Sequence, residues 1–117
     1  MDDLTIEVEK RASGVRVFRL TGPLTLKTMF DFQDAARAEA DSALVVELSG
    51  VPYMDSAGLG TLLGVLASCQ RHGRGFGITG ASDRIQTLFT VSKVAGMIPS
   101  FESVETAEQL LSKSATA

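Results

Sequence analysis

The run Ala43-Leu-Val-Val-Glu-Leu48 constrains the fold more than any other part of the chain. It is too short for a core helix, is rich in β-branched residues, and has stretches of helical period on both sides. Such a run reads as a strand buried on both faces within a parallel sheet. Parallel neighbours need long crossover connections, and helices are the usual ones. The chain opens differently. Leu4 to Glu9 alternates apolar and polar residues, and after the turn Arg11-Ala12-Ser13-Gly14 the run Val15 to Thr21 alternates again. Val15, Val17 and Arg19 fall on one side of that second run, with Arg16, Phe18 and Leu20 on the other. Two strands this close in sequence pair as an antiparallel hairpin.

Gly22-Pro23 breaks the alternation. The spacing then predicts a helix with Leu26, Met29, Phe30, Gln33, Ala36, Arg37 and Ala40 on one face, Lys27, Asp31, Asp34 and Ala38 on the other, and Phe32 at the border. After the Ala43–Leu48 strand and the Ser49-Gly50-Val51-Pro52 loop, a helical period runs from Ser56 to about Arg71, with Gly73 placed to end it. Gly75 to Thr79 is a further strand, and Ser82 caps a helix carrying Ile85, Leu88 and Phe89 on one side. Val91 to Met97 reads as a helical end or short second turn, and Ile98 to Glu102 as an edge strand that tolerates Pro99. Ser103 caps a last helix with Val104, Ala107 and Leu111 facing inward. The expected fold is one α/β domain over residues 1–112, followed by a disordered polar tail at 113–117. Its sheet is mixed and mostly parallel, of about five strands with an antiparallel N-terminal pair, flanked by about four helices.

Composition narrows the function classes. The 117 residues are 44% hydrophobic with a net charge of −3, which excludes a disordered chain and an overall basic nucleic-acid or membrane binder. Cys69 is the only cysteine, so no internal disulfide forms, and one histidine, His72, leaves metal sites short of ligands. No metal or cofactor is expected. The longest apolar stretch, around Leu59 to Ala67, is interrupted by Gly60, Thr61 and Gly64 and cannot span a bilayer. Met1-Asp2-Asp3-Leu4-Thr5 lacks the basic region and apolar run of a signal peptide, and a cytoplasmic location is expected.

The segment Tyr53-Met54-Asp55-Ser56-Ala57-Gly58-Leu59-Gly60 joins the central strand to its helix. In open α/β sheets this junction is where ligands and partners engage. Asp55 and Ser56 are both N-cap residue types, and the helix start offers unpaired N–H groups and a positive dipole end. Within the helix, Leu59, Leu62, Leu63 and Leu66 form the core stripe, while Gly60, Gly64, Ala67 and Arg71 share another face within about 60° of arc. An interior glycine costs about 1 kcal/mol against alanine, so two on one stripe suggest close approach of another backbone. That backbone is either a second helix of this domain or a partner.

The eight-residue segment resembles the signature of the STAS-domain anti-anti-sigma factors, in which Asp-Ser-Ser/Thr-Gly-Leu-Gly opens a helix after a buried strand. Leu20-Thr21-Gly22-Pro23-Leu24 is similar to the family's Leu-x-Gly-x-Leu segment, Leu44 to Leu48 to its central strand, and Ile85 to Ile98 to its closing pattern. The resemblance implies a bacterial protein–protein switch. The unphosphorylated antagonist binds an anti-sigma factor that is also a serine kinase, and so frees a sigma factor. The kinase phosphorylates the serine after the motif aspartate, here Ser56, the complex falls apart, and a serine phosphatase resets it. The expected partner face comprises Asp55, Ser56, Ala57 and Gly58, the stripe Gly60, Gly64, Ala67 and Arg71, and the loop residues Gly22 and Thr25. Ala57 replaces a second hydroxyl residue found in many members, and Thr25 stands where many have aspartate. The family also serves in transport, lipid-trafficking and stress-sensing complexes, so a scaffold subunit without phosphoregulation is the alternative.

The residues themselves allow plainer roles. Ser56 also reads as an N-cap, Asp55 as a turn former, Cys69 as a small core residue, and His72 as a dipole partner at a helix C-terminus. An enzyme is disfavoured. The Gly-x-Ser-x-Gly elbow is absent, since Met54 holds the first glycine position, and His72 lies about 24 Å from Ser56 along one helix. The Gly58–Gly64 run misses the dinucleotide spacing and has no P-loop lysine, and Asp55 alone is a poor Mg²⁺ site.

Overall fold

The computed structural model describes residues 3–38 and 42–116. Five strands form one sheet in sequence order: β1 (Thr5–Lys10), β2 (Arg16–Thr21), β3 (Leu44–Gly50), β4 (Phe76–Thr79) and β5 (Ser100–Phe101). β1 pairs antiparallel with β2, and the other pairs are parallel. The helices are α1 (Met29–Arg37), α2 (Ser56–Arg71), α3 (Asp83–Val91) and α4 (Val104–Thr116), with a short 3₁₀ turn at Ala95–Met97. The α/β class, the opening antiparallel pair and the alternation that follows are as the sequence predicts.

The central strands are covered on both faces, which is why β3 lacks alternation. On one face Phe18, Leu20, Val46, Leu48 and Ile78 meet Phe32 of α1, Leu59, Leu62 and Leu66 of α2, and Ile85 and Phe89 of α3. On the other, Val15, Val17 and Val45 meet Val104, Ala107 and Leu111 of α4. The two sides of β2 are thus the two sides read from its alternation. Caps fall where the sequence puts them: Ser82 Oγ accepts from the Ile85 amide, Ser103 Oγ from the Thr106 amide, and Gly73 leaves α2 with φ of 69°. The expected helix end at Val91 to Met97 is α3's last residue followed by that 3₁₀ turn, and β5 is shorter than the expected strand.

Three expectations are corrected. α1 starts at Met29, not Leu26, because residues 25–28 form a turn held by threonine side chains. The Thr25 amide donates to Thr28 Oγ1 (3.0 Å), and that hydroxyl donates to the Pro23 carbonyl (2.9 Å). Such local bonds compete with helical ones. As a result, α1 buries Phe32 and Ala36, while Leu26 and Phe30 are 63% and 58% exposed. Phe32 packs edge-on against Phe18, with ring centroids 6.4 Å apart. Ala40, placed on the same face by the spacing, lies outside the described residues. Second, the core face of α2 is rotated from the leucine stripe: Leu59, Leu62, Val65, Leu66 and Cys69 are buried, and Leu63 is only half-buried. Third, the helical backbone of α4 runs to Thr116, beyond Ser112, where the sequence predicts its end.

Candidate functional site

The site is built where the turn before α1 meets the start of α2. Leu24 forms a parallel bridge with Met54. Its amide donates to the Tyr53 carbonyl (3.2 Å), and its carbonyl accepts from the Asp55 amide (3.3 Å). Asp55 has extended backbone geometry and caps α2, its Oδ1 accepting from the Gly58 amide at 2.8 Å. Its Oδ2 accepts from the Leu26 amide at 3.1 Å. One carboxylate therefore fixes both the helix start and the turn beside it. Asp55 is more than a turn former.

Gly58 completes the junction. It is buried, and a Cβ there would lie 2.0 Å from the Leu24 carbonyl oxygen, so no larger residue fits without moving backbone. Its place is inside the junction, which removes it from the expected partner-contacting surface. Gly22 is likewise a backbone requirement. Its φ is 109°, a Cβ would lie 2.1 Å from the Asp3 carbonyl oxygen, and its amide donates to Gly50 at 3.0 Å.

Because Asp55 takes the cap, Ser56 does not. It is the first residue of α2, it is exposed, and its hydroxyl has no hydrogen-bond partner among the described residues. By helical periodicity Ser56 lines up with Gly60, Gly64, Ala67 and Arg71 on one strip of α2. All five are exposed, and a Cβ at Gly60 or Gly64 would meet nothing within 4 Å. Close approach of another described backbone therefore does not account for the two glycines. Half-buried Ala57 and Thr25 flank the start of the strip. The Thr25 carbonyl accepts from the amides of Thr28 and Met29, and its hydroxyl accepts from the Lys27 amide.

Ser56 and the four strip residues are thus exposed on one strip of α2, with half-buried Asp55, Ala57 and Thr25 at its start, whereas buried Gly58 and half-buried Gly22 are set by backbone atoms of other segments. Sequence reading missed the exposure of Leu26 and Phe30 here. It also missed Tyr53, which is 37% exposed beneath Arg84 of α3, the guanidinium 5.5 Å from the ring centroid. A Thr-x-x-Thr turn after Gly-Pro is the signal that would have moved Leu26 out of the helix.

The remaining chemistry of the chain lies elsewhere. His72 is the C-cap of α2, at the opposite end from Ser56, with Nδ1 2.8 Å from the Ser68 carbonyl oxygen. Cys69 is buried, and burial pushes its thiol pKa up, partly opposed by Arg74. Among the described residues no three His, Cys, Asp or Glu side chains gather as a metal set, and no helix is long and apolar enough to cross a membrane.

Comparison with known proteins agrees with this frame. The anti-sigma-B factor antagonist of Staphylococcus aureus is 29% identical over 90 residues, covering 74% of this chain and 83% of that protein. SpoIIAA of Bacillus in its phosphorylated form shares the fold with a TM-score of 0.68 at 15% identity, over 91% of this chain and 99% of the other. A sulfate transporter family protein from Wolinella succinogenes shares it with a TM-score of 0.70 at 18% identity, over 89% of each chain. The STAS domain family model matches residues 6–107, from β1 into α4 and through the whole Asp55 junction, and the chain belongs to the STAS domain family.

Proposed function

We propose that this protein is an anti-sigma factor antagonist, a non-catalytic switch whose α2 face binds an anti-sigma factor serine kinase and frees a sigma factor. In this reading the kinase transfers the γ-phosphate of ATP to Ser56 Oγ. The new O–P bond forms as the bond to ADP breaks, and the serine proton passes to a base on the kinase. The complex then separates, and a serine phosphatase restores the hydroxyl. The carrying observation is the division of labour at α2: Asp55 caps the helix, leaving the Ser56 hydroxyl exposed and unengaged at its first position. The named antagonist among its relatives and the phosphorylated form of SpoIIAA support the same reading.

Charge explains how the switch would act. A phosphoserine carries about −1.5 to −2 charges at pH 7. At an exposed helix N-terminus the dipole favours it by roughly 0.3–1 kcal/mol, which offsets repulsion from Asp55, so the fold tolerates it. A partner packed over the glycine strip would instead have to desolvate a dianion beside a carboxylate, at a cost of several kcal/mol. Binding collapses while the domain stays folded.

The test begins with capture of the kinase from the native cell, followed by incubation with ATP and mass-spectrometric mapping. Phosphate on Ser56, stable binding by Ser56→Ala, and partial release by Ser56→Asp are expected. Phosphate on Ser49 or Thr61 with Ser56 unmodified refutes the assignment. A membrane-complex partner with no phosphorylation of this chain favours the scaffold role instead.

A further inference from the structure

Leu26 and Phe30 stand out because the chain's own helical period would bury them and the fold does not. Both are more than half exposed, and both sit on the turn and first helical turn that follow Pro23. The turn is rigid: the Leu26 amide is bound to Asp55 Oδ2, the Lys27 amide to Thr25 Oγ1, the Thr28 amide to the Thr25 carbonyl, and Thr28 Oγ1 to Pro23. Large apolar side chains held outward by a preordered backbone lose little freedom on association, which is the character of interface anchors. Leu26 is also fastened to the carboxylate that caps the helix beginning at Ser56, so anchor and switch residue share one scaffold.

The opposite end of the α2 face has a different character. Between α1 and α2 a groove of about 480 Å³ is lined in part by Arg37 and Arg71, with the neutral Gln33, Ala36, Gly64 and Ser68 between them. No acidic side chain lines it among the described residues. Among the described residues Asp34, one turn back on α1, pairs with Arg37 at 3.8 Å. The face therefore runs from apolar beside Ser56, through two bare glycines, to cationic at Arg71.

We infer that Leu26 and Phe30 anchor the protein partner in an apolar cleft of its surface, and that the rim of that surface facing Arg71 and Arg37 is acidic. This rests on the anti-sigma antagonist reading for the partner's identity. The complementary charge sets the register along α2 and steers encounter, while the anchors supply affinity.

The test uses the purified kinase that phosphorylates this chain and the full-length protein, with Kd and association rate measured by surface plasmon resonance at two salt concentrations. Leu26→Ala and Phe30→Ala should each weaken binding about tenfold or more. Val91→Ala, which trims an apolar residue of α3 that is 73% exposed, should leave binding within twofold. Arg71→Glu should slow association and flatten its salt dependence. Circular dichroism melting should match wild type for Leu26→Ala and Phe30→Ala. If both of these bind as wild type while Ser56→Asp is impaired, the anchor inference is overturned and the switch reading stands. If the anchors matter and Ser56→Asp binds normally, the anchors stand and the switch reading fails. If sedimentation shows a dimer that Leu26→Ala dissolves while kinase affinity is unchanged, a second copy is the occupant and the inference is overturned.

Discussion

Replacing Asp55 by alanine removes two acceptors with one substitution, and the structure allows the cost to be worked out. Loss of the cap on the Gly58 amide costs about 1 kcal/mol. The bond from the Leu26 amide to the same carboxylate is charge-assisted but solvent-exposed, so its loss adds about 1 kcal/mol, below the usual range for a charged acceptor. Asp55→Ala should therefore lower stability by about 2 kcal/mol, seen as a fall of roughly 1–2 M in the urea midpoint at an unchanged slope. Asp55→Asn keeps one carbonyl oxygen, which can serve either amide but not both, and should lose about half as much. Hydrogen exchange gives a local readout: the Leu26 amide should exchange faster in Asp55→Ala, with the amides of β3 unaffected under native conditions. A change below about 0.5 kcal/mol, or unaltered exchange at Leu26, would refute the idea that this carboxylate ties the turn to the helix.

Three further outcomes follow from the same geometry. Gly58→Ala drives a methyl into the Leu24 carbonyl and should destabilise the fold by about 3 kcal/mol, measured by denaturant titration. Gly64→Leu faces open space and gains helix propensity, so stability should rise by up to about 1 kcal/mol while kinase affinity falls, which calorimetric titration would register. Cys69, its thiol pKa raised by burial, holds its proton more tightly when folded. The stability of wild type relative to Cys69→Ala should therefore be constant below the ordinary thiol range and decline as pH rises above about 8.5. The native thiol should also react with Ellman's reagent far more slowly than the unfolded chain does.

The parts of this fold that were legible in the sequence are those where one period or one cap dominates. β3 declared itself by composition, α2 by its glycine-terminated period, and α3 and α4 by serines three residues ahead of the amides they accept from. α1 was legible only in part. Its wheel put Phe32 only at the border of the face that carries Phe30, and the choice between them depends on where the helix begins, which the Thr25 and Thr28 side chains decide through bonds within the turn and to Pro23, with the Leu26 amide held by Asp55. At the site, the outward position of Ser56 follows from Asp55 taking the cap, yet two adjacent cap-type residues cannot be ranked by sequence when the deciding bond goes to Leu26, twenty-nine positions away. The glycines divide in the same manner. Gly58 and Gly22 answer to backbone atoms of distant segments, whereas Gly60 and Gly64 answer to nothing within the described chain.

That Ser56 lies outside the network of bonds that closes the Asp55 junction has a thermodynamic consequence. A modification there breaks no hydrogen bond of the described fold, so the modified and unmodified domains have nearly equal folding free energies. Coupling between partner and phosphate is then confined to the complex, and linkage makes it reciprocal. If the proposed phosphate on Ser56 lowers partner affinity by some factor, the bound partner lowers the equilibrium favouring the phosphate by the same factor. A tightly held complex would resist its own modification in that same proportion, leaving the free-energy drop of ATP cleavage to drive the cycle in one direction.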